Sequence, residues 1–214
     1  MAAVARTAHD TRDKLITIGQ RLFAEQGVFR VPLRTVIEQA GQKNTSALHY
    51  HFGGREGLLA AIIDRHNDGI EEERAAMVAH IVASGQTADI PSLVRAFVVP
   101  FAAKLETVEG REFLRVVAQL GDLFDLWEES EDTTPAQAYA TMVMLAEAIP
   151  DQSNAIRHER VTTMLMLVSD ALALRARQID SGRPLNVSTD AFVANLIDMS
   201  VGAVQAPSLP PPTG

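Results

Sequence analysis

The sequence predicts an all-α protein of about nine helices, a small N-terminal helix-turn-helix head followed by a larger helical body. Three observations carry that expectation. Apolar residues recur three and four apart along most of the 214-residue chain, the spacing of helices that bury one face. Period-two alternation is scarce and β-branched clusters are short, so no segment reads as a strand. Glycines and prolines mostly fall between the periodic stretches, where they punctuate them. Hydrophobic residues make up 47% of the chain, enough for a sizeable core.

The elements follow in order. Residues 1–10 are small and unpatterned and are expected to form a flexible tail. The first helix is expected to start at Thr11, capped by Thr11 or Asp10, with Asp13 in its first turn. It carries Leu15, Ile18, Leu22 and Phe23 on one face and ends at Gly27. Pro32 suits the start of a second, short helix with Leu33, Val36, Ile37 and Ala40 inward, and Gly41 stops it. After a turn over 42–46, a very short helix covers about 46–51, anchored by Leu48, until Phe52-Gly53-Gly54 breaks it. A long helix opens near Arg55, turns Leu58, Leu59, Ile62 and Ile63 inward and runs to about 81. Five more helices are expected beyond Gly85: 91–107 with a kink at Pro100, 110–126, 135–149, 154–179 and 189–204. Residues 205–214 hold four of the ten prolines and read as a Pro-rich flexible tail. The expected domains are a head over 11–56 and a body over 57–204.

Composition narrows the function classes. The net charge of −8 argues against a chain that coats nucleic acid. The charge is unevenly placed, however. Residues 1–56 hold eight Lys/Arg and five Asp/Glu, a charge of +3, and the rest holds eleven and twenty-two, a charge of −11. Such a split points to a nucleic-acid-facing module on an acidic body. Absence of cysteine excludes disulfides, thiol catalysis and Cys-ligated metals. The N-terminus is too broken for a secretory apolar core, and no run approaches the ~18 apolar residues of a membrane span. A soluble, cytoplasmic protein without a membrane partner is expected.

The short-helix, tight-turn, short-helix pattern over 33–52 is a helix-turn-helix arrangement. A helix that enters the roughly 12 Å major groove needs a polar outer face and a rigid apolar support. Phe23, Leu33, Ile37, Ala40, Leu48 and Phe52 supply the support. Gln42, Lys43, Asn44, Thr45, Ser46, His49 and Tyr50 face outward, and these are residue types that contact phosphates and base edges. Arg12 and Arg55 are further phosphate candidates. His49 and His51 diverge by about 200° around a helix and share no face, so they do not read as metal ligands. Asp64, His66 and Asp68, and the Glu71-Glu72-Glu73 run, read as solvated surface. No catalytic order, phosphate loop or metal motif stands out, so neither an enzyme nor a cofactor is expected.

The stretches Thr11-Arg12-Asp13-Lys14, Leu22 through Gly27, Ala40-Gly41, Leu48-His49-Tyr50-His51-Phe52 and Arg55-Glu56-Gly57-Leu58-Leu59 together resemble the DNA-binding domain of the tetracycline-repressor (TetR) family of regulators. The resemblance covers about residues 11–65. The turn before Phe52 is one residue longer than the usual family pattern. Val31-Pro32 stands where the family commonly has a phosphate-touching Thr or Ser, and the resemblance leaves Arg34 or Thr35 as the expected stand-in. The resemblance implies operator DNA as partner and a homodimer that reads a palindrome.

The body carries aromatics and methionines between Phe97 and Met166. A subset is expected to line an apolar ligand cavity: Phe97, Phe101, Phe113, Val117, Phe124, Trp127, Tyr139, Met142 and Met164, with Arg115 and Asp122 as polar anchors. The last two helices are apolar on more than one face, through Val161, Leu165, Val168, Leu172, Phe192, Leu196 and Ile197. Such surfaces mark interfaces, and the resemblance implies that these helices pair with their twins in a dimer. The expected function is a ligand-responsive repressor, released from its operator by a small, mostly apolar effector. The alternative is an all-α carrier or enzyme that binds an apolar ligand without DNA.

Overall fold

A computed structural model describes residues 2–42, 46–121, 127 and 135–207, with residues 2–9, 46 and 47 described by their backbone only. The described residues form nine α-helices and one 3-10 turn, with no strand. The helices are α1 (Ala2–Gln26), α2 (Leu33–Gln39), α3 (Ser46–Phe52), α4 (Arg55–Ala83), α5 (Ile90–Ala102), α6 (Val108–Val117), α7 (Ala136–Ala148), α8 (Asn154–Asp180) and α9 (Thr189–Val204), with the 3-10 turn Ala103–Glu106 between α5 and α6.

Three boundaries differ from the sequence reading: α5 ends at Ala102 rather than 107, where the chain tightens into the 3-10 turn Ala103–Glu106, and α1 and α6 differ as well. Helix α1 begins at Ala2 rather than Thr11. Ala2, Ala3, Ala5 and Ala8 are strong helix formers with no breaker among them, so the helix runs through its expected cap. Helix α6 ends at Val117, well short of 126, and the chain turns at once through the Leu120 amide to the Val117 carbonyl, 2.9 Å. The expected tail beyond 207 lies outside the described residues.

Side-chain caps start four of the body helices or their neighbours as the local sequence requires. Asp89, Thr107, Ser153 and Ser188 each accept the amide three residues on, satisfying one of the orphan donors of a first turn.

Two apolar clusters organise the chain. One gathers α1, α2, α3 and the first half of α4 around Leu15, Phe23, Val36, Leu48, Leu58 and Ile62. It also takes in Val116 of α6 and Leu120 just past its end. The other gathers the second half of α4 with α5 to α9. Helix α4 thus runs from one core into the other.

Most residues of the expected dimer seam pack inside the protomer. Val161, Val168, Leu172, Leu196 and Ile197 are buried inside the protomer, and Leu165 and Phe192 pack half-buried against them. Helices α8 and α9 are covered by α5, α6 and α7. Their broad apolar surface reflects burial from several sides. Among the described residues no helix is long and apolar enough to cross a membrane.

Candidate functional site

The head presents a short helix on a rigid turn. Gly41 adopts a left-handed φ of 72° at the end of α2. Its amide donates to the Glu38 carbonyl and the Gln42 amide to the Ile37 carbonyl, both 3.0 Å. This is the double hydrogen bond of a Schellman ending, and a side chain at Gly41 would be strained there. Leu48, fully buried, pins α3 to the head core.

On the outer face, Tyr50 is 84% exposed and meets the edge of His51 at 5.1 Å between centroids. His49 is exposed, and its Nδ1–H donates to the Gly53 carbonyl at 3.0 Å, which leaves Nε2 toward solvent. Arg34 is exposed and forms a 2.7 Å ion pair with Glu38 one turn on. Thr35 and Gln42 are half-buried. Lys43, Asn44 and Thr45 lie outside the described residues, and Ser46 opens α3 by its backbone.

Arg55 does something else. Its guanidinium donates to the carbonyls of Val28 and Val31, the second at 2.7 Å, and lies 5.5 Å over the Phe23 ring. It fastens the α1–α2 connection, so it is not carried into the proposed DNA face. No local signal marks this role, because the partners lie 27 and 24 residues back. Arg12 likewise covers Phe52 at 5.5 Å.

The body holds a cavity of about 650 Å³, a size typical of small-molecule sites. Five expected residues line it: Phe97, Phe101, Phe113, Val117 and Met142. The other expected positions do not. Met164 is fully buried in the core behind it. Tyr139 is half-buried away from it. Arg115 turns outward to Asp180 at 3.2 Å. Trp127 stacks on His158 at 3.8 Å and donates Nε1–H to the Thr162 hydroxyl at 2.9 Å, so it stands behind a lining residue. Phe124 and Asp122 lie outside the described residues.

The sequence reading missed the polar wall: Asn67, Glu71 and Arg74 on α4, and Ser169 and Asp170 on α8. It also missed Phe29, which belongs to the head yet lines the cavity. Glu72 and Glu73 are solvated as expected, but Glu71 is not. Counting back in steps of four and three from Arg74 through Glu71 and Asn67 to Ile63 gives one helix face, a signal hidden by the adjacent acids.

Glu71 and Arg74 form an ion pair in that wall, the guanidinium fully buried and the carboxylate half-buried. The other Glu71 oxygen accepts the amides of Gln137 and Ala138, 3.1 and 3.2 Å. These amides open α7, whose N-cap position is Pro135 and offers no side-chain acceptor. The Arg74 Nε–H donates to the Ala96 carbonyl at 3.3 Å. Pro100, four residues on, has no N–H for that carbonyl, so Arg74 fills the gap that the proline leaves in α5. The guanidinium also lies 5.1 Å over Phe97 and 5.9 Å over Phe101.

A second buried polar cluster joins head to body. His66 was read as solvated but is buried on the inner face of α4, stacked on Phe113 at 4.3 Å. Its Nε2–H donates to the Gln20 amide oxygen at 2.8 Å. Gln20 in turn donates to the Glu109 carbonyl at 2.9 Å and the Glu112 carboxylate at 3.2 Å. Burial, with Lys104 and Arg65 nearby, pushes the His66 pKa down to about 4. Burial pushes the Glu112 carboxyl up.

The His66 shift makes stability pH-dependent. The unfolded imidazole takes a proton near its ordinary value of 6.5, while the folded one refuses it until about 4. The contribution is present above pH 6.5 and is lost as pH falls through that window. Glu112 acts in the opposite direction, because protonation relieves its burial. A His66→Gln variant isolates the first effect. Between pH 7 and pH 5 the native chain should lose about 2 kcal/mol more than the variant, measured by urea midpoints. Equal losses would mean that His66 does not titrate as a buried neutral ring.

Among the described residues no group of three His, Asp or Glu side chains could hold a metal ion.

No protein-family model matches the chain, and no curated protein matches it. Solved structures do. A Rhodococcus sp. protein assigned to the TetR-family transcriptional regulators superposes with a TM-score of 0.52 at 20% identity, covering 92% of this chain and 100% of that one. A TetR-family regulator from Streptomyces coelicolor A3 gives a TM-score of 0.49 at 22% identity over 92% and 95% of the two chains. A gamma-butyrolactone receptor (ArpA-like protein) gives 0.46 at 17% identity over 91% and 97%. The Rhodococcus likeness covers 92% of this chain, so over that length the chain shares the fold of that protein.

Proposed function

We propose that this chain, built on the fold of a TetR-family regulator, is a ligand-responsive DNA-binding repressor. The observation that carries the reading is the outward face of α3. A seven-residue helix, fixed by a tight turn and one buried leucine, shows exposed polar and aromatic groups on a +3 head. The DNA face comprises Arg34, Thr35, Gln42, Lys43, Asn44, Thr45, Ser46, His49 and Tyr50. The cavity takes a small, mostly apolar effector against its phenylalanines. Effector binding favours a setting of the heads that misfits the operator and so weakens DNA affinity by linkage.

The test begins with a duplex selected from a random library. Binding to it should weaken steeply with salt. Lys43→Ala with Tyr50→Ala should cost about tenfold or more in affinity and flatten the salt slope by about one. Failure to select any duplex, or selection that ignores both substitutions, would sink the reading.

A palindromic operator needs a homodimer. With most of the expected seam buried, the large apolar groups still outward on α8 and α9 include Leu174, 51% exposed, and Met199, 52% exposed. We assign the dimer contact to these outward residues of α8 and α9. Leu174→Arg with Met199→Arg removes nothing from the protomer core. Sedimentation should show the double variant as a folded monomer where the native chain is a dimer. A native monomer, or a double variant that stays dimeric, would refute the assignment.

A further inference from the structure

The end of α6 belongs to both cores at once. Val116 and Leu120 are buried in the head cluster, at 0% and 2% exposure. Residues 117–121, Leu120 among them, also line the cavity. Gln119 spans the junction. Its side-chain oxygen accepts the Val28 amide at 2.8 Å. Its Nε2 donates to the Phe23 carbonyl at 3.3 Å and to the Arg115 carbonyl at 2.7 Å. Phe23 lies in the last turn of α1, and Val28 is the second residue past that helix. Gln119 therefore clasps the C-terminus of α1. The next residue, Phe29, lines the same cavity while 61% exposed.

We propose that Gln119, with Phe29, is the contact through which the head senses what fills the cavity. The proposal rests on the reading of the body as an effector domain and names how that site is coupled. An occupant large enough to touch Phe29 and the turn 117–121 cannot spread the wall without moving Gln119. Gln119 cannot move without dragging or releasing the Val28 amide. Either outcome alters the connection 27–32, from which α2 and hence α3 hang. The long helix α4 offers a parallel route, lining the cavity through Ile63 and Asn67 and holding this connection through Arg55, but Arg55 does not itself line the cavity, whereas Gln119 does both. Gln119 is a positioning residue: it fixes the setting of the recognition unit and need not touch DNA.

The absence of cysteine supplies a test that needs no identified effector. Ser169→Cys places a single thiol in the α8 wall of the cavity, and monobromobimane alkylates it to give an occupant of known size, counted by mass spectrometry. Leu165→Cys, on the same helix, serves if the first thiol does not react. Amide hydrogen exchange then reads the clasp. With Gln119 present, alkylation should change exchange at the Val28 amide by about tenfold or more. In Gln119→Met, where that amide is already fast, alkylation should change nothing further. With the selected duplex, alkylation should weaken binding by about tenfold when Gln119 is present and by less than about twofold in Gln119→Met. Unchanged Val28 exchange on alkylation overturns the proposal. So does a full loss of DNA affinity on alkylation of the Gln119→Met protein, because coupling would then run through α4 alone. A Val28 response in a protein that binds no duplex in either state keeps the clasp and rejects the regulator reading.

Discussion

Glu71→Ala should destabilise the chain by about 3–5 kcal/mol, a large part of the total stability of an ordinary domain. The loss has several sources. Removing the carboxylate leaves the Arg74 guanidinium fully buried without its partner. It also leaves the Gln137 and Ala138 amides without the acceptor that caps α7. Arg74 cannot swing to water, because Nε is held by the Ala96 carbonyl and the guanidinium lies over two phenylalanines. The cavity beside the pair admits water to one side, so the lower part of that range is expected. A double-mutant cycle separates the sources. Glu71→Ala with Arg74→Met removes both charges and keeps most of the side-chain volume, so it should recover part of the loss. What remains reports the unfilled α7 amides and the Ala96 carbonyl. Urea midpoints at constant m-value measure each corner. A single-variant cost below about 1 kcal/mol would mean that the pair behaves as a surface ion pair. Ligand binding gives a second readout, because Glu71 and Arg74 form part of the cavity wall.

That pair shows where sequence reasoning stops. Helix α9 was legible to the residue, Thr189–Val204, because Ser188 caps it and an apolar stripe runs its length. The head was legible for similar reasons. Leu48 and Phe23 fall at helical spacing, and Gly41 marks a turn whose chemistry only glycine meets easily. Such signals are local, each carried by a few consecutive residues. The roles of Glu71, Arg55 and Gln119 are not local. Their partners lie 66, 27 and 91 residues away, and an acid in a run of three acids looks like a solvated face until α7 is placed against it. The stripe on α8 and α9 is a related case. Apolar residues on several faces of a helix mean several neighbours, and periodicity does not say whether those neighbours are in the same chain. The cavity was half legible. Its aromatic lining follows from composition, but its polar wall depends on which face of α4 turns inward, and the His66 side of that helix shows that charge clusters conceal the answer.

Gly57→Ala should reverse the usual sign of a glycine substitution in a helix. Alanine ordinarily gains about 0.5–1 kcal/mol there, because it restricts the unfolded chain and favours the helix. Gly57 sits in the first turn of α4, directly against the end of α3. A Cβ built on it would lie 1.9 Å from the Phe52 carbonyl oxygen and 2.9 Å from its carbon. Both are backbone atoms, so no rotamer change relieves the overlap. Either the α3–α4 turn opens or α3 shifts bodily. The expected cost is at least about 2–3 kcal/mol. Because α3 is the proposed recognition helix, any variant molecules that fold should also lose affinity for the selected duplex. Gly69→Ala is the control on the same helix. The nearest atom to its added Cβ is the Lys104 Nζ at 3.8 Å, an ordinary contact with the tip of a flexible chain. It should stabilise by the usual fraction of a kilocalorie and leave DNA binding alone. Thermal and urea unfolding of the two variants, compared side by side, decide the matter. If Gly57→Ala is as stable as Gly69→Ala and binds the duplex normally, the turn that sets the angle of α3 is not as tight as its geometry requires, and the rigid support argued for the recognition helix is lost.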